Sequence, residues 1–116
     1  MENWTIKQLK DLIIGEEYYL SWSNKYNGPF WRVIFLGCIN EFENGYIELY
    51  VAQIKYGKFY SSSVCYALEI GIGQTKKEAK FNYGRFKYDN FPNVYKSLDE
   101  CSSANDHLIN KIFSNL

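Results

Sequence analysis

The chain is expected to fold as an α+β domain: a four-stranded antiparallel meander with helices packed on one face, ordered helix, strands, helix, helix. Three observations lead there. Between positions 17 and 70 the apolar residues alternate or run together in short blocks, separated by Gly-, Asn- and Pro-containing turns. Outside that stretch they recur at three- and four-residue spacing, the period of a helix. Finally, 116 residues with 47% hydrophobic content suit one core rather than two, so 1–116 is read as a single domain.

The first helix is expected in Thr5–Ile14, where Ile6, Leu9, Leu12 and Ile13 form one face, Thr5 caps and Gly15 stops. Glu17–Trp22 follows as a strand with Tyr18, Leu20 and Trp22 on one side. "SNKYNGP" is turn chemistry. Phe30–Cys38, "FWRVIFLGC", is apolar almost throughout and reads as a central strand covered on both faces. Asn44-Gly45 is a hairpin signal. The third strand is Tyr46–Tyr56, with Ile47, Leu49 and Val51 on one face and Tyr46, Glu48 and Tyr50 on the other. After the Tyr56-Gly57-Lys58 turn, Phe59–Ile70 is the fourth. A capped helix opens at Thr75, and Ala79, Tyr83 and Phe86 pack on the sheet. Ser97 with Glu100 starts a further helical turn, and Leu108, Ile109, Ile112, Phe113 and Leu116 make the stripe of a last helix.

Composition narrows the function. Formal charge is zero and the pI is about 6.6, which argues against a chain coated in positive charge for nucleic acid, though not against a local basic patch. Lysine outnumbers arginine 11 to 2, and Asn, Ile, Lys and Tyr abound. Their codons are A/T-rich, which points to a low-GC genome, bacterial, phage or viral. Cys38, Cys65 and Cys101 lack CxxC spacing, so neither a disulfide scaffold nor a zinc site is expected. No apolar run approaches about 18 residues, and no signal pattern opens the chain. A cytoplasmic protein without membrane partner, metal or cofactor is expected. Catalytic motifs are missing too: His107 is the single histidine, and nothing places a base beside a thiol. The chain is read as no enzyme.

The stretch "GIGQTKKEAK", Gly71–Lys80, allows two readings. In one, Gly71 and Gly73 bend the chain off the fourth strand, and Thr75 and Glu78 form a capping box. In the other, the turn meets an anion. Lys76 and Lys77 oppose the helix dipole, and Lys80, Arg85 and Lys87 add positive charge near free N–H groups.

The same stretch resembles the end of a double-stranded RNA-binding domain, whose last strand passes a Gly-rich turn into a helix opening Ser/Thr-Lys-Lys-x-Ala-Lys. "YNGPF", Tyr26–Phe30, resembles the Gly-Pro loop which that family places in a minor groove. The resemblance implies phosphate contacts by Lys76, Lys77 and Lys80 and a groove contact by Gly28 and Pro29. The family's histidine after Gly-Pro falls at Trp31 here, and an extra strand lies between Gly28 and Gly71.

A second candidate surface is aromatic. Tyr26, Phe30 and Trp31 surround a polar turn, and Tyr46, Tyr50 and Tyr56 form a row on the sheet's free face. Large, stiff, amphipathic rings are the usual anchors of protein interfaces. The expectation is therefore a non-catalytic binding protein, a small phage or mobile-element factor. It would inhibit a host nucleic-acid-processing protein, in the manner of anti-CRISPR proteins, by contacting a larger protein or ribonucleoprotein. The alternative is a divergent binder of double-stranded RNA.

Overall fold

The computed structural model describes residues 4–21, 30–39, 48–66, 70–85, 94–95 and 97–114. The expected features at Trp22, Asn44-Gly45, Ile47, Phe86 and Leu116 lie outside them.

Residues expected to make the first helix form only a single 3-10 turn, Leu9–Asp11. The reason lies in what their backbone bonds. The N–H groups of Lys7 and Gln8 both donate to the Asp11 carboxylate at 3.0 Å. Those of Thr5 and Ile6 donate to Glu78 at 2.5 and 3.2 Å. Leu12 is already extended. The apolar spacing still works, because Ile6, Leu9 and Leu12 are buried, while Ile13 is exposed. Thr5 is thus not a cap but a tie to Glu78, 73 positions along the chain.

Strand β1 is Glu17–Ser21 and β2 is Phe30–Ile39, paired antiparallel with Leu20 opposite Trp31. Strand β3, Glu48–Lys55, pairs antiparallel with β2 and with β4, Lys58–Tyr66. The α+β class holds, but four strands become six. Gly71–Gly73, expected as a bend, is a short strand, β5, that returns to β1 with Leu20 opposite Ile72. Val94–Tyr95 is β6, parallel to β2. The order β4-β3-β2-β1-β5 makes β2 central, as its apolar run predicts.

Helix α1 is Lys76–Asn82 and helix α2 is Leu98–Phe113. The two separate helical signals near Ser97 and Leu108 are one helix, capped by Ser97 Oγ accepting from the Glu100 N–H. Its inward stripe is Cys101, Asn105, Leu108, Ile109 and Ile112. It lies on the Ile34, Leu36, Tyr50 and Ala52 side of the sheet. By strand register, Gly71 and Gly73 share that side with Ser21 and Tyr19. A Cβ on Gly71 would run into the Ala79 carbonyl and the Tyr83 backbone, and one on Gly73 into Glu78. The glycines are there so that α1 can lie against β5. Both helices therefore cover one side. The other is not bare: Ile6, Leu9 and Leu12 pack there on Tyr18, Leu20 and Val33.

The central strand carries a bulge between Phe35 and Gly37. Gly37 has φ +143, and a Cβ on it would lie 2.6 Å from Tyr95 Cε2 and 3.1 Å from Cys101 Sγ. The bulge turns the Leu36 carbonyl out of the ladder. Buried Asn105 answers it, donating from Nδ2 to Leu36 O at 2.6 Å and to Cys101 O at 2.9 Å. No helix among the described residues is long and apolar enough to cross a membrane.

Candidate functional site

The glycine–lysine turn resolves first. Glu78, 2% exposed, lies where an anion would sit. Its Oε1 accepts from Gln74 N–H at 2.7 Å, and its Oε2 accepts from Thr5 and Ile6. Thr75 Oγ1 accepts from Glu78 N–H at 3.1 Å, so the cap is real. The reciprocal bond goes to Gln74 and to the N-terminal segment, rather than to Thr75 itself. Asn82, also buried, donates to the carbonyls of Ile6 and Ile72 at 2.9 Å each. Together these two side chains fasten residues 5–6 to α1.

The α1 cations sit outside this clasp. Lys76 and Lys77 are exposed and Lys80 is half-buried. The Lys76 ammonium stands over the rings of Tyr19 and Phe30, at 5.8 and 6.0 Å. Arg85, past the end of the helix, lies over Phe81 at 4.5 Å, and Phe81 in turn stacks on Trp4. Lys76 and Arg85 thus lean on different rings at opposite ends of α1. Lys87, Gly28 and Pro29 lie outside the described residues.

The expected aromatic surface is partly rearranged. Tyr26 and Tyr46 lie outside the described residues. Tyr50 is buried under α2, packed with Ile34, Leu36 and Cys101, and is no surface residue. Tyr50 thus leaves the expected row, because period-two alternation in a strand covered on both sides marks two buried faces. Phe30, Trp31 and Tyr56 do come together. They line an open groove of about 440 Å³ with Tyr60. Ile54, Gln53, Arg32 and Lys55 complete it.

Two strand ends and one hairpin build this groove. Phe30 and Trp31 open β2, next to Ile54 and Lys55 at the end of β3. Tyr56-Gly57 joins β3 to β4 as a two-residue turn in which both residues have positive φ, +56 and +74. That is the type I′ geometry, normally Asn-Gly or Gly-Gly. Tyr56 is 91% exposed and Tyr60 61%. The Lys55 ammonium lies 5.7 Å from the Tyr56 ring and 5.2 Å from the Tyr60 ring. Arg32 donates from Nε to Glu17 Oε1 at 2.6 Å and also forms an ion pair with it. Sequence reasoning missed Arg32, Lys55 and Tyr60. The available signal was the Tyr-Gly turn itself, whose two-residue length puts Lys55 opposite Lys58 and leaves Tyr60 within reach.

The thiols stand apart from both surfaces. Cys38, Cys65 and Cys101 are all buried. Burial pushes Cys101 up to about 11, against a partial downward pull from the Asn105 hydrogen bond, and raises Cys38 further. Both are held as neutral thiols, poor nucleophiles. His107 is exposed on α2. Among the described residues no cluster of His, Cys, Asp and Glu is arranged to hold a metal ion.

Comparison with known proteins finds no matching family model, no matching curated protein and no matching solved structure.

Proposed function

We propose that the chain is a non-catalytic binding protein, a small phage or mobile-element factor. It inhibits a host nucleic-acid-processing protein, in the manner of anti-CRISPR proteins, by gripping it directly. The observation that carries this reading is the convergence of exposed Trp31, Tyr56 and Tyr60 with half-buried Phe30 on one groove. Rings of this kind anchor interfaces when a partner covers them. The abundance of residues whose codons are A/T-rich supports the origin. The test is affinity capture from a low-GC bacterial lysate with the wild-type chain and with Tyr56→Ala/Trp31→Ala. A nucleic-acid-processing protein held by the first and lost with the second is expected. Equal capture by both would remove the groove from the reading.

The second reading, a divergent binder of double-stranded RNA, is favoured by the exposed Lys76 and Lys77 on the first turn of α1. Titration with an RNA duplex at two salt concentrations tests it. Salt-sensitive binding that Lys76→Ala/Lys77→Ala abolishes would raise it above the first, and no binding at low salt would end it.

A further inference from the structure

The geometry points to a ligand for the groove: a single strand of nucleic acid, its bases against Trp31, Tyr56 and Tyr60 and its phosphates at Lys55 and Lys58. This rests on the reading above only in taking the groove as a contact surface; it adds the chemistry of what enters.

Three features meet at the β3–β4 hairpin tip. Tyr56 holds a left-handed backbone that Asn or Gly would hold more easily, and its side chain, almost wholly exposed, returns little packing to the fold. Lys55 and Lys58 are directly opposed across the hairpin, and like charges so placed weaken the pair. Positive charge also gathers here in a chain whose formal charges sum to zero. Arg32 and Lys55 line the groove, Lys58 follows the turn, and Lys76 stands over Phe30 at its border. Among the described residues, Glu17 pairs with Arg32. Local choices that weaken a fold collect where the protein does something else.

An acidic peptide would satisfy the lysines and leave the rings without a flat partner. A duplex keeps its bases stacked on one another and out of reach. A single strand offers both, a π-face for each ring and a phosphate for each lysine, whatever its sequence. The Lys55 ammonium, already over two tyrosine rings, is placed to meet a phosphate while those rings meet the neighbouring bases.

The test uses the purified full chain and a short fluorescein-labelled oligothymidylate, followed by anisotropy at about 50 and about 200 mM salt. Binding that weakens with salt is expected. Tyr56→Asn, which suits the turn, should weaken it about tenfold, and Tyr60→Ala similarly. Lys55→Ala should lower the salt slope by about 0.7. Unchanged circular dichroism in each variant ties the losses to the groove. Absence of binding at the lower salt would overturn the inference, as would equal binding by Tyr56→Asn or preference for a duplex. So would poly-L-glutamate competing as well as the oligonucleotide with the same Tyr56 dependence. Nuclease-resistant, Tyr56-dependent capture of a protein, without oligonucleotide binding, would overturn it and leave the protein-contact reading standing.

Discussion

Replacing Glu78 with glutamine strikes the clasp between the N-terminal segment and α1 with almost no change of shape. In the native chain Oε2 accepts from Thr5 and Ile6 while Oε1 accepts from Gln74, so three backbone donors converge on one carboxylate. An amide has one acceptor oxygen. If that oxygen faces Thr5 and Ile6, the NH₂ group is driven against the Gln74 N–H; if it turns over, two donors lose their partner. Either way at least one donor is stranded, and the surviving bonds lose their ionic assistance. Hydrogen bonds to a charged group contribute roughly 1.5–3 kcal/mol net, and an unsatisfied buried donor costs about 1–3 kcal/mol. A loss of about 2–4 kcal/mol is expected, a large share of the roughly 5–15 kcal/mol that holds such a domain together. Urea unfolding measures it as a lower midpoint with an unchanged slope. Amide exchange of Thr5 and Ile6 should accelerate more than that of the β2 core. A stability change under about 0.5 kcal/mol, or undisturbed Thr5 and Ile6 amides, would refute the clasp, because surface substitutions away from such features fall in that range.

Gly37→Ala should destabilise by about 2–4 kcal/mol in thermal melts, because the added methyl meets the Tyr95 ring and Cys101 and the residue has positive φ. Tyr56→Asn should do the opposite, adding about 0.5–1 kcal/mol by relieving the left-handed tyrosine, read in the same melts. The native chain should react with a thiol reagent at a small fraction of the rate of the urea-unfolded chain, since Cys38, Cys65 and Cys101 are buried; prompt labelling of any one would contradict the core described. Stability should also fall in alkali. Burial raises Cys101 from its ordinary 9.0 to about 11 and raises Cys38 and Tyr18 as well, so the unfolded chain loses these protons first. The Cys101 contribution is full below pH 9 and is lost as pH climbs through about 11, and those of Cys38 and Tyr18 are lost in the same direction; a melting temperature flat between pH 9 and about 11 would refute it.

Much of the architecture was legible in the residues, for identifiable reasons. The unbroken run Phe30–Cys38 marks a strand with two covered faces, and it is the centre of the sheet. Ser97 followed by Glu100 marks a helix start, and α2 begins there. The misreadings share one cause: partners distant in sequence. Thr5–Ile14 has helical spacing, yet a carboxylate more than 70 positions away takes its first N–H groups. Gly71 and Gly73 looked like punctuation, yet they are strand residues kept bare for an approaching helix. Tyr50 has the alternation of a half-exposed strand, but a helix from the far end of the chain lies over it. Of the candidate surfaces, the rings Phe30, Trp31 and Tyr56 were legible because they flank turns. Arg32, Lys55 and Tyr60 were not, because only the β2–β3 and β3–β4 registers together bring them to the same groove.

The clasp has a kinetic side. Thr5 and Glu78 are 73 residues apart, while the β3–β4 turn closes over two. Closing a long loop is entropically dear and is recouped only once the intervening sheet exists. The hairpin is therefore suited to form early and the N-terminal segment to dock late. Interactions absent from the transition state govern how slowly a protein lets go rather than how fast it forms. On that reasoning the Glu78 carboxylate acts as a latch on the finished molecule, setting its lifetime against opening.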